Sequence, residues 1–330
     1  MVAVHSTARG PSLGGCRLWA YHDARAALRD ALRLSEGMTW KSAVAGLPLG
    51  GGKGVIVARP GDELSVQRRR DALLDFGDTV AQLDGAYVTA EDVGTTTADM
   101  GVIAERTPHV TGLPVARGGS GDPSPFTARG VLRSIQAALE HTTRSAELDG
   151  RAVAVIGLGH VGLPLAEMLA AAGAELLATD IDPARRADAE ALGARWVSAQ
   201  DAMTAPVDVL CPCALGGALD HASVPRIRAP IVAGAANNQL AGEEIATLLT
   251  QQGILWVPDF VANAGGIINI SVELGEGVYD PDRARLLVDG IGAVTSTILA
   301  EADRDGVTPL AAAMALARRR VASPRPPRAR

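Results

Sequence analysis

Apolar residues recur at helical spacing over residues 23–37, where Ala27, Leu28, Ala31, Leu32 and Leu34 fall at i, i+3 and i+4 intervals. The pattern predicts a helix that Gly37 closes. Ahead of it, residues 2–19 read as an extended segment with turns at Gly10-Pro11 and Gly14-Gly15. Beyond it, residues 55–57 read as a strand leaving a glycine run, residues 65–83 as a second helix, Asp84-Gly85 as a turn and residues 87–90 as a strand. A loop with Glu91-Asp92 and Gly94-Thr-Thr-Thr97 follows. Residues 117–125, rich in Gly, Pro and Ser, are the best linker candidate.

After a helix over about 127–141 the period changes. Residues 151–156 form a short apolar strand, Gly157-Leu-Gly-His-Val-Gly162 a glycine turn, residues 163–172 a helix and residues 175–179 a strand ending in Asp180. Further apolar runs at 207–210, 231–233 and 254–257 alternate with helical segments. That alternation predicts a parallel, doubly wound sheet. Helices are expected over 283–303 and 309–320, and the Pro/Arg tail beyond Ser323 is expected to fray. The fold class is therefore α/β with two domains: 1–120 for substrate binding and oligomerisation, and 121–305 as a Rossmann domain. Residues 306–330 are read as a helix returning to the first domain, followed by a disordered basic tail.

Composition narrows the function classes. The 330 residues carry a net charge of −6, and the one basic cluster is the tail from Arg318 onward. The body is therefore acidic and would repel a phosphate backbone, which argues against a nucleic-acid partner. No apolar run is long enough for a membrane span, and no basic segment precedes an apolar one at the start, as a secretory signal requires. Cys16, Cys211 and Cys213 are too few for a disulfide framework and lack the spacing of a zinc set. A cytoplasmic protein without a bound metal is expected.

The lysine count is more informative. Of 31 basic residues only Lys41 and Lys53 are lysine; the rest are arginine. On a solvated surface that exchange costs little. It fails where an ammonium must lose its proton, because arginine stays charged in a protein. Two lysines held close in a glycine-packed cleft would lower each other's pKa, and a carboxylate such as Asp92 between them would shuttle the proton. Duller readings stand beside this one: two leftover surface lysines, Asp92 as a turn or helix cap, Glu91 as a solvated acid. Lys53 lacks the Walker spacing of a phosphate loop.

The glycine turn meets the three contexts a dinucleotide fingerprint needs: a strand before it, a helix after it and an acid ending the next strand. Gly157 permits the tight turn, Gly159 lets the backbone approach a pyrophosphate, and Gly162 lets helix and strand pack closely. His160 and Val161 complete the loop, and the helix N-terminus holds the phosphate charge. Asp180 would accept hydrogen bonds from the ribose hydroxyls and repel a 2′-phosphate, which favours NAD. Arg185 and Arg186 lie a few residues on, so NADP stays an alternative, as does a Rossmann-like sheet with no cofactor.

Taken together, Pro11-Ser-Leu-Gly-Gly15, Met38-Thr-Trp-Lys-Ser-Ala43, Gly50-Gly-Gly-Lys53 and Thr89-Ala-Glu-Asp-Val-Gly-Thr-Thr96 resemble the Glu/Leu/Phe/Val amino-acid dehydrogenases. So do the glycine turn, Cys213-Ala-Leu-Gly-Gly217, Ala233-Gly-Ala-Ala-Asn-Asn-Gln239 and Pro258-Asp-Phe-Val-Ala-Asn-Ala-Gly-Gly266. The likeness runs in order over the whole chain and is nearest to the leucine and valine enzymes, with Ser120-Gly-Asp-Pro-Ser-Pro-Phe-Thr127 similar to the leucine enzyme's hinge segment. It implies reversible oxidative deamination: L-amino acid, water and NAD give 2-oxoacid, ammonium and NADH. It also implies two domains closing on the substrate, C-terminal helices packing back across the cleft, and a homo-oligomer. Carried over by motif, Lys41 would bind the substrate carboxylate, Lys53 would activate water and polarise the carbonyl or imine, and Asp92 would be the acid/base. Asn263 would hold substrate or nicotinamide amide. Thr127, Ala214, Ala236 and Asn237 would line the nicotinamide and its ribose.

Glutamate-specific relatives place a lysine before the early Gly-Gly and a serine in the late Gly-Gly segment, both on the γ-carboxylate. Here those positions are Leu13 and Ile270. Burying an unpaired carboxylate against them would cost several kcal/mol, so acidic substrates are excluded. The resemblance implies Gly15 beside the substrate and a pocket wall of Leu13, Ala90, Ile267 and Ile270, whose two isoleucines, bulkier than the valines of the leucine enzymes, favour short branched side chains. One methylene is worth only about 1–3 kcal/mol, so valine, leucine and isoleucine should all react, with phenylalanine poor. The alternatives are an aromatic amino-acid dehydrogenase and a non-catalytic NAD-binding protein. A 2-hydroxy-acid dehydrogenase fits less well, since no His–carboxylate–Arg set stands out. The resemblance also places a helix and a strand ahead of Val2, so a chain starting here would leave a sheet edge less well paired.

Overall fold

Asp23 accepts a hydrogen bond from the Ala26 N–H (2.7 Å) and so starts the first helix, α1 (Ala24–Val44). In the computed structural model, which describes residues 1–58, 61, 64–214, 216–275 and 278–323, this helix runs straight through Gly37. The stop expected there is wrong. A Cβ on Gly37 would meet nothing within 4 Å, and the left-handed residue that a helix end needs lies further on. Gly46 supplies it at φ +74, its N–H donating to Ala43 O while Leu47 N–H donates to Ser42 O. Lys41 thus stands on the helix rather than beyond its end.

Four strands form the sheet of the first unit: β1 (Val2–Ser6), β2 (Ser12–Ala20), β3 (Gly50–Ala58) and β4 (Tyr87–Glu91), in the order β1-β3-β2-β4. β1 runs antiparallel to β3; the other pairs are parallel. Gly14-Gly15 is not a turn, and the glycine run does not precede a strand: both lie inside strands. A Cβ on Gly14 would stand 1.7 Å from Gly52 O, and one on Gly51 2.1 Å from Thr39 N of α1. These glycines let strands and helix approach closer than side chains allow.

Helices α2 (Val66–Ala81) and α3 (Thr97–Ile103) cover the other face, with Cys16, Leu73, Phe76, Tyr87, Met100 and Ile103 in one buried cluster. The loop expected over 94–97 ends in α3. Its signal was present: Thr96 and Asp99 form a reciprocal capping box. Asp84 and Gly85 both take positive φ, as the expected turn requires.

The second unit opens with α4 (Ser124–Thr143) and then alternates: β5 (Ala152–Ile156), α5 (Gly162–Ala171), β6 (Glu175–Thr179), α6 (Arg185–Ala191), β7 (Arg195–Trp196), α7 (Ala199–Thr204), β8 (Val209–Pro212), β9 (Ile231–Val232), α8 (Glu244–Gln251) and β10 (Leu255–Trp256). All strand pairs are parallel, in the order β10-β9-β8-β5-β6-β7. Chain order reverses between β5 and β8, the switch point of a Rossmann sheet. Val153, Val155, Ile135, Leu165 and Leu169 pack on one face; Ala154, Leu210, Val232, Ile245 and Trp256 pack on the other.

Four α-helices follow among the described residues: α9 (Asp259–Ala262), α10 (Gly265–Ser271), α11 (Pro281–Asp305) and α12 (Pro309–Ala322). The first unit comprises Met1–Pro123, Ile267–Arg283 and the chain from Ala317; the second comprises Ser124–Gly266 and Ala284–Leu316. The linker candidate 117–125 spans the first division. Ile267–Arg283, read from sequence as part of a continuous 121–305, groups with the first unit instead. In that unit Arg320 donates to Ala43 O and Val44 O, at the end of α1. The tail beyond Ser323 lies outside the described residues.

Candidate active site

Side chains alternate across the first sheet, and the face turned to α1 gathers the chemistry. Leu13, Gly15 and Arg17 on β2, Lys53 on β3, and Ala90 followed by Asp92 at the end of β4 share that face. Gly15 pairs in register with Ala90. A Cβ on Gly15 would stand 2.6 Å from Asp92 Cβ, so the carboxylate lies directly over this bare strand position. Lys53 reaches it from the other side: its Nζ donates to Asp92 Oδ2 at 2.5 Å. β3 and β4 are separated by β2, and only a missing side chain lets groups from the two meet across it. Lys53 is 4% exposed.

The sequence reading missed Arg17, Asp30 and Tyr21. Arg17 Nε donates to the same Asp92 Oδ2 (3.0 Å) and its Nη1 to Asp30 Oδ2 of α1 (2.9 Å); Tyr21 OH donates to Asp30 Oδ2 (2.6 Å). The signal was the period-2 spacing Leu13, Gly15, Arg17 within a strand, hidden because Gly14-Gly15 reads as a turn. Lys41 is half-buried on α1, eleven residues from Asp30 and hence about three turns along the same helix face. The duller reading of Asp92 as a helix cap gives way, since Thr96 caps α3.

Burial pushes the Lys53 ammonium below its ordinary pKa, while Asp92 opposes the shift. A second cation, the Arg17 guanidinium, adds to the downward push. Asp92, despite burial, is held below the usual carboxylate range by Lys53 and Arg17. Cys16, on the opposite face of β2, is pushed up to about 12 by burial and stays a thiol. The arrangement has the parts of a proton-exchange site: a desolvated amine meets an ionised carboxylate that is supported by a permanent cation.

Leu13, Ala90, Ile267 and Ile270 are all buried and all belong to the first unit, Leu13 without any exposure. Ile267 and Ile270 lie three residues apart on α10, on one helix face. No side chain among these four carries a charge.

In the second unit the glycine turn has the geometry a dinucleotide needs. Gly157 takes φ +102, and a Cβ there would stand 2.8 Å from Ala214 N; a Cβ on Gly162 would stand 1.8 Å from Gly157 O. Gly159 instead faces open space, with nothing within 4 Å of a Cβ. His160 is exposed beside it and Val161 half-buried. Asp180 closes β6, its Oδ2 accepting from Leu158 N–H (2.6 Å) and its Oδ1 from Asp182 N–H (2.8 Å). Arg185 pairs with Asp188 and Arg186 with Glu190, along their own helix. Asn263 is 5% exposed; its Nδ2 donates to Ala235 O and Asn237 Oδ1, while its Oδ1 is buried without a donor among the described residues. Such an acceptor suits an amide or ammonium N–H. Thr127 is half-buried at the start of α4, Ala236 is buried, and Ala214 and Asn237 are exposed. Among the described residues no acid, histidine or cysteine cluster could hold a metal.

A Rossmann turn with an acid closing the next strand, in a chain that also holds a close lysine–carboxylate pair, is the feature set of a nicotinamide-dependent oxidoreductase. Comparison with known proteins agrees. The family model for the Glu/Leu/Phe/Val dehydrogenase dimerisation domain matches residues 1–109, and that for glutamate/leucine/phenylalanine/valine dehydrogenase matches 184–325. Residues 128–217 match the NAD binding domain of D-isomer specific 2-hydroxyacid dehydrogenases, which covers the nucleotide fold alone. The chain is 42% identical to leucine dehydrogenase of Bacillus subtilis over 97% of its own length and 87% of the relative's. It is 43% identical to valine dehydrogenase of Streptomyces virginiae, covering 98% and 90%. The crystal structure of L-tryptophan dehydrogenase from Nostoc punctiforme superposes with a TM-score of 0.84 at 39% identity, covering 97% of this chain and 91% of that one. The chain belongs to the Glu/Leu/Phe/Val dehydrogenase family.

Proposed function

We propose that this protein catalyses the reversible NAD-dependent oxidative deamination of a branched-chain aliphatic L-amino acid to its 2-oxoacid and ammonium. The observation that carries the reading is the buried Lys53–Asp92 pair at 2.5 Å. NAD, when bound, accepts the hydride that leaves the amino-acid Cα. Gly157, Gly159 and Gly162 hold its pyrophosphate, and Asp180 its adenine ribose. Thr127, Ala214, Ala236 and Asn237 line the nicotinamide end, and the orphaned Oδ1 of Asn263 takes an N–H there or on the substrate.

Lys41 holds the substrate carboxylate as a charged ammonium. Lys53, whose desolvated amine gives up its proton readily, takes a proton from the water that attacks the imine carbon and polarises the resulting carbonyl. Asp92 passes protons to and from the leaving nitrogen. Leu13, Gly15, Ala90, Ile267 and Ile270 receive the side chain, and their lack of charge supports aliphatic over acidic substrates. The valine and leucine dehydrogenase relatives support the same choice.

A second reading, an aromatic substrate, is favoured by the L-tryptophan dehydrogenase relative at 42% identity. Initial rates for L-valine, L-leucine, L-isoleucine, L-phenylalanine, L-tryptophan and L-glutamate, each with NAD and with NADP, separate the two. The expected order of kcat/KM places valine or leucine first, the aromatics at least tenfold lower, glutamate inactive, and Lys53→Ala inactive on all. A best rate with phenylalanine or tryptophan would sink the aliphatic reading.

The net charge of −6 supports a reading without a nucleic-acid partner. A homo-oligomer is supported by the dimerisation-domain match over residues 1–109. A cytoplasmic setting is supported by three free cysteines, two of them buried. No helix among the described residues is long and apolar enough to cross a membrane.

A further inference from the structure

Two cations converge on one oxygen of Asp92. Lys53 Nζ and Arg17 Nε both donate to Oδ2, at 2.5 and 3.0 Å, and no donor meets Oδ1 among the described residues. The Asp92 side chain is 22% exposed while Lys53 is buried, and Oδ1 is the oxygen the two cations leave alone. Arg17 does not stop there. Its Nη1 donates to Asp30 Oδ2, and Asp30 is held in turn by Tyr21 OH and by Arg33 Nη2 on its other oxygen. The guanidinium therefore ties Asp92 to α1, the helix that carries Lys41.

We infer that Arg17 is a positioning residue of the deamination site: it pins Asp92 Oδ2 against Lys53 and leaves Oδ1 as the oxygen that exchanges the proton. This deepens, and rests on, the reading of Lys53 and Asp92 as the acid/base pair. The physical reason for a second, permanent cation lies in the reaction itself. While Lys53 is the neutral amine that takes the attacking water's proton, Asp92 lacks one of its two counter-ions, and a carboxylate without any is expensive in a desolvated site. A guanidinium cannot be deprotonated there, so it keeps Asp92 ionised through the step in which Lys53 is neutral. A fork reaching two carboxylates at once also fixes the rotamer of each, which an ammonium cannot do.

The groups that set the charge on Asp92 come from every neighbouring element. β3 supplies Lys53, and β2 supplies Arg17 together with the Cys16 thiol on its far face. Tyr21 follows β2, and α1 supplies Asp30. The Asp99–Arg69 ion pair joins α3 to α2. Glu91, next in sequence, accepts from Thr97 Oγ1. Of these, Arg17 and Lys53 alone are cations in contact with the carboxylate.

The test compares Arg17→Met, Arg17→Lys and Lys53→Ala with the unaltered full chain, following NADH formation from L-leucine between pH 6 and 11. Arg17→Met should lower kcat by on the order of 10²-fold, the usual effect of a misplaced catalytic group. It should also move the acid limb of kcat/KM to higher pH, because Asp92 then faces one cation instead of two. Arg17→Lys keeps the charge and loses the fork. It should leave the acid limb in place while kcat falls about tenfold, and it serves where the methionine variant fails to fold by circular dichroism. Wild-type kcat and an unmoved acid limb in Arg17→Met, with Lys53→Ala inactive, would overturn the inference and leave the catalytic pair standing. Full activity in Lys53→Ala would overturn both.

Discussion

In the proposed reaction an arginine at position 53 would preserve the charge and abolish the chemistry, because the proposed step needs an amine that can be neutral. Burial on the α1 side of β3 supplies the downward pressure on the Lys53 pKa, and Asp92 keeps the side chain in place. Lys53→Arg is accordingly expected to lower kcat by about 10²–10⁴-fold, the range for losing a general acid–base group. NAD affinity should not change, since the dinucleotide residues belong to the other unit. Stopped-flow turnover together with fluorescence titration of NADH checks both halves. If the arginine variant turned over at a tenth of the normal rate or better, proton exchange at this side chain would not be part of the reaction.

Among the elements, α1 shows how a local signal misleads. Gly37 and Gly46 look alike in sequence, yet one sits in an open helix interior and the other takes φ +74 as the helix terminator. Gly37→Ala should stabilise the protein by about 0.5–1 kcal/mol, by removing unfolded-state freedom at an unstrained helical position. Gly46→Ala should destabilise by about 1–2 kcal/mol, the cost of a Cβ in the left-handed region. Urea midpoints at constant m-value read both. Equal effects of the two would contradict the assigned helix end. The same helix also places Lys41 and Asp30 on one face, so its length matters to the site.

For the whole molecule, the prediction concerns the Rossmann unit. A ligand that binds only the folded state stabilises by about 2.7 kcal/mol at a hundred times its Kd. NADH is therefore expected to raise the unfolding midpoint, and NADPH at the same concentration to raise it less, because the Asp180 carboxylate at the end of β6 would face a 2′-phosphate. A thermal scan with each nucleotide tests this directly; equal shifts would count against Asp180 as the discriminating group. The pairing of Arg185 and Arg186 with acids of their own helix argues in the same direction.

The dinucleotide turn was legible in the residue string because its parts are contiguous: strand, Gly157, Gly159, Gly162, helix, strand, Asp180 all fall within one local unit whose geometry backbone sterics dictate. Alternation of apolar runs likewise implied the doubly wound sheet, and the scarcity of lysine picked out position 53. What the string concealed was non-local. Glycines that look like turn residues at 14–15 and 50–52 became strand interiors because neighbouring backbones press against them, a condition only packing creates. For the same reason Arg17 and Asp30 went unnoticed. Arg17 joins Asp92 from another strand and links it to Asp30 on α1, and a hydrogen bond spanning 75 residues leaves no periodicity behind it. Local sterics and hydrophobic spacing are written along the chain; which distant charges share a buried oxygen is decided when the strands pair.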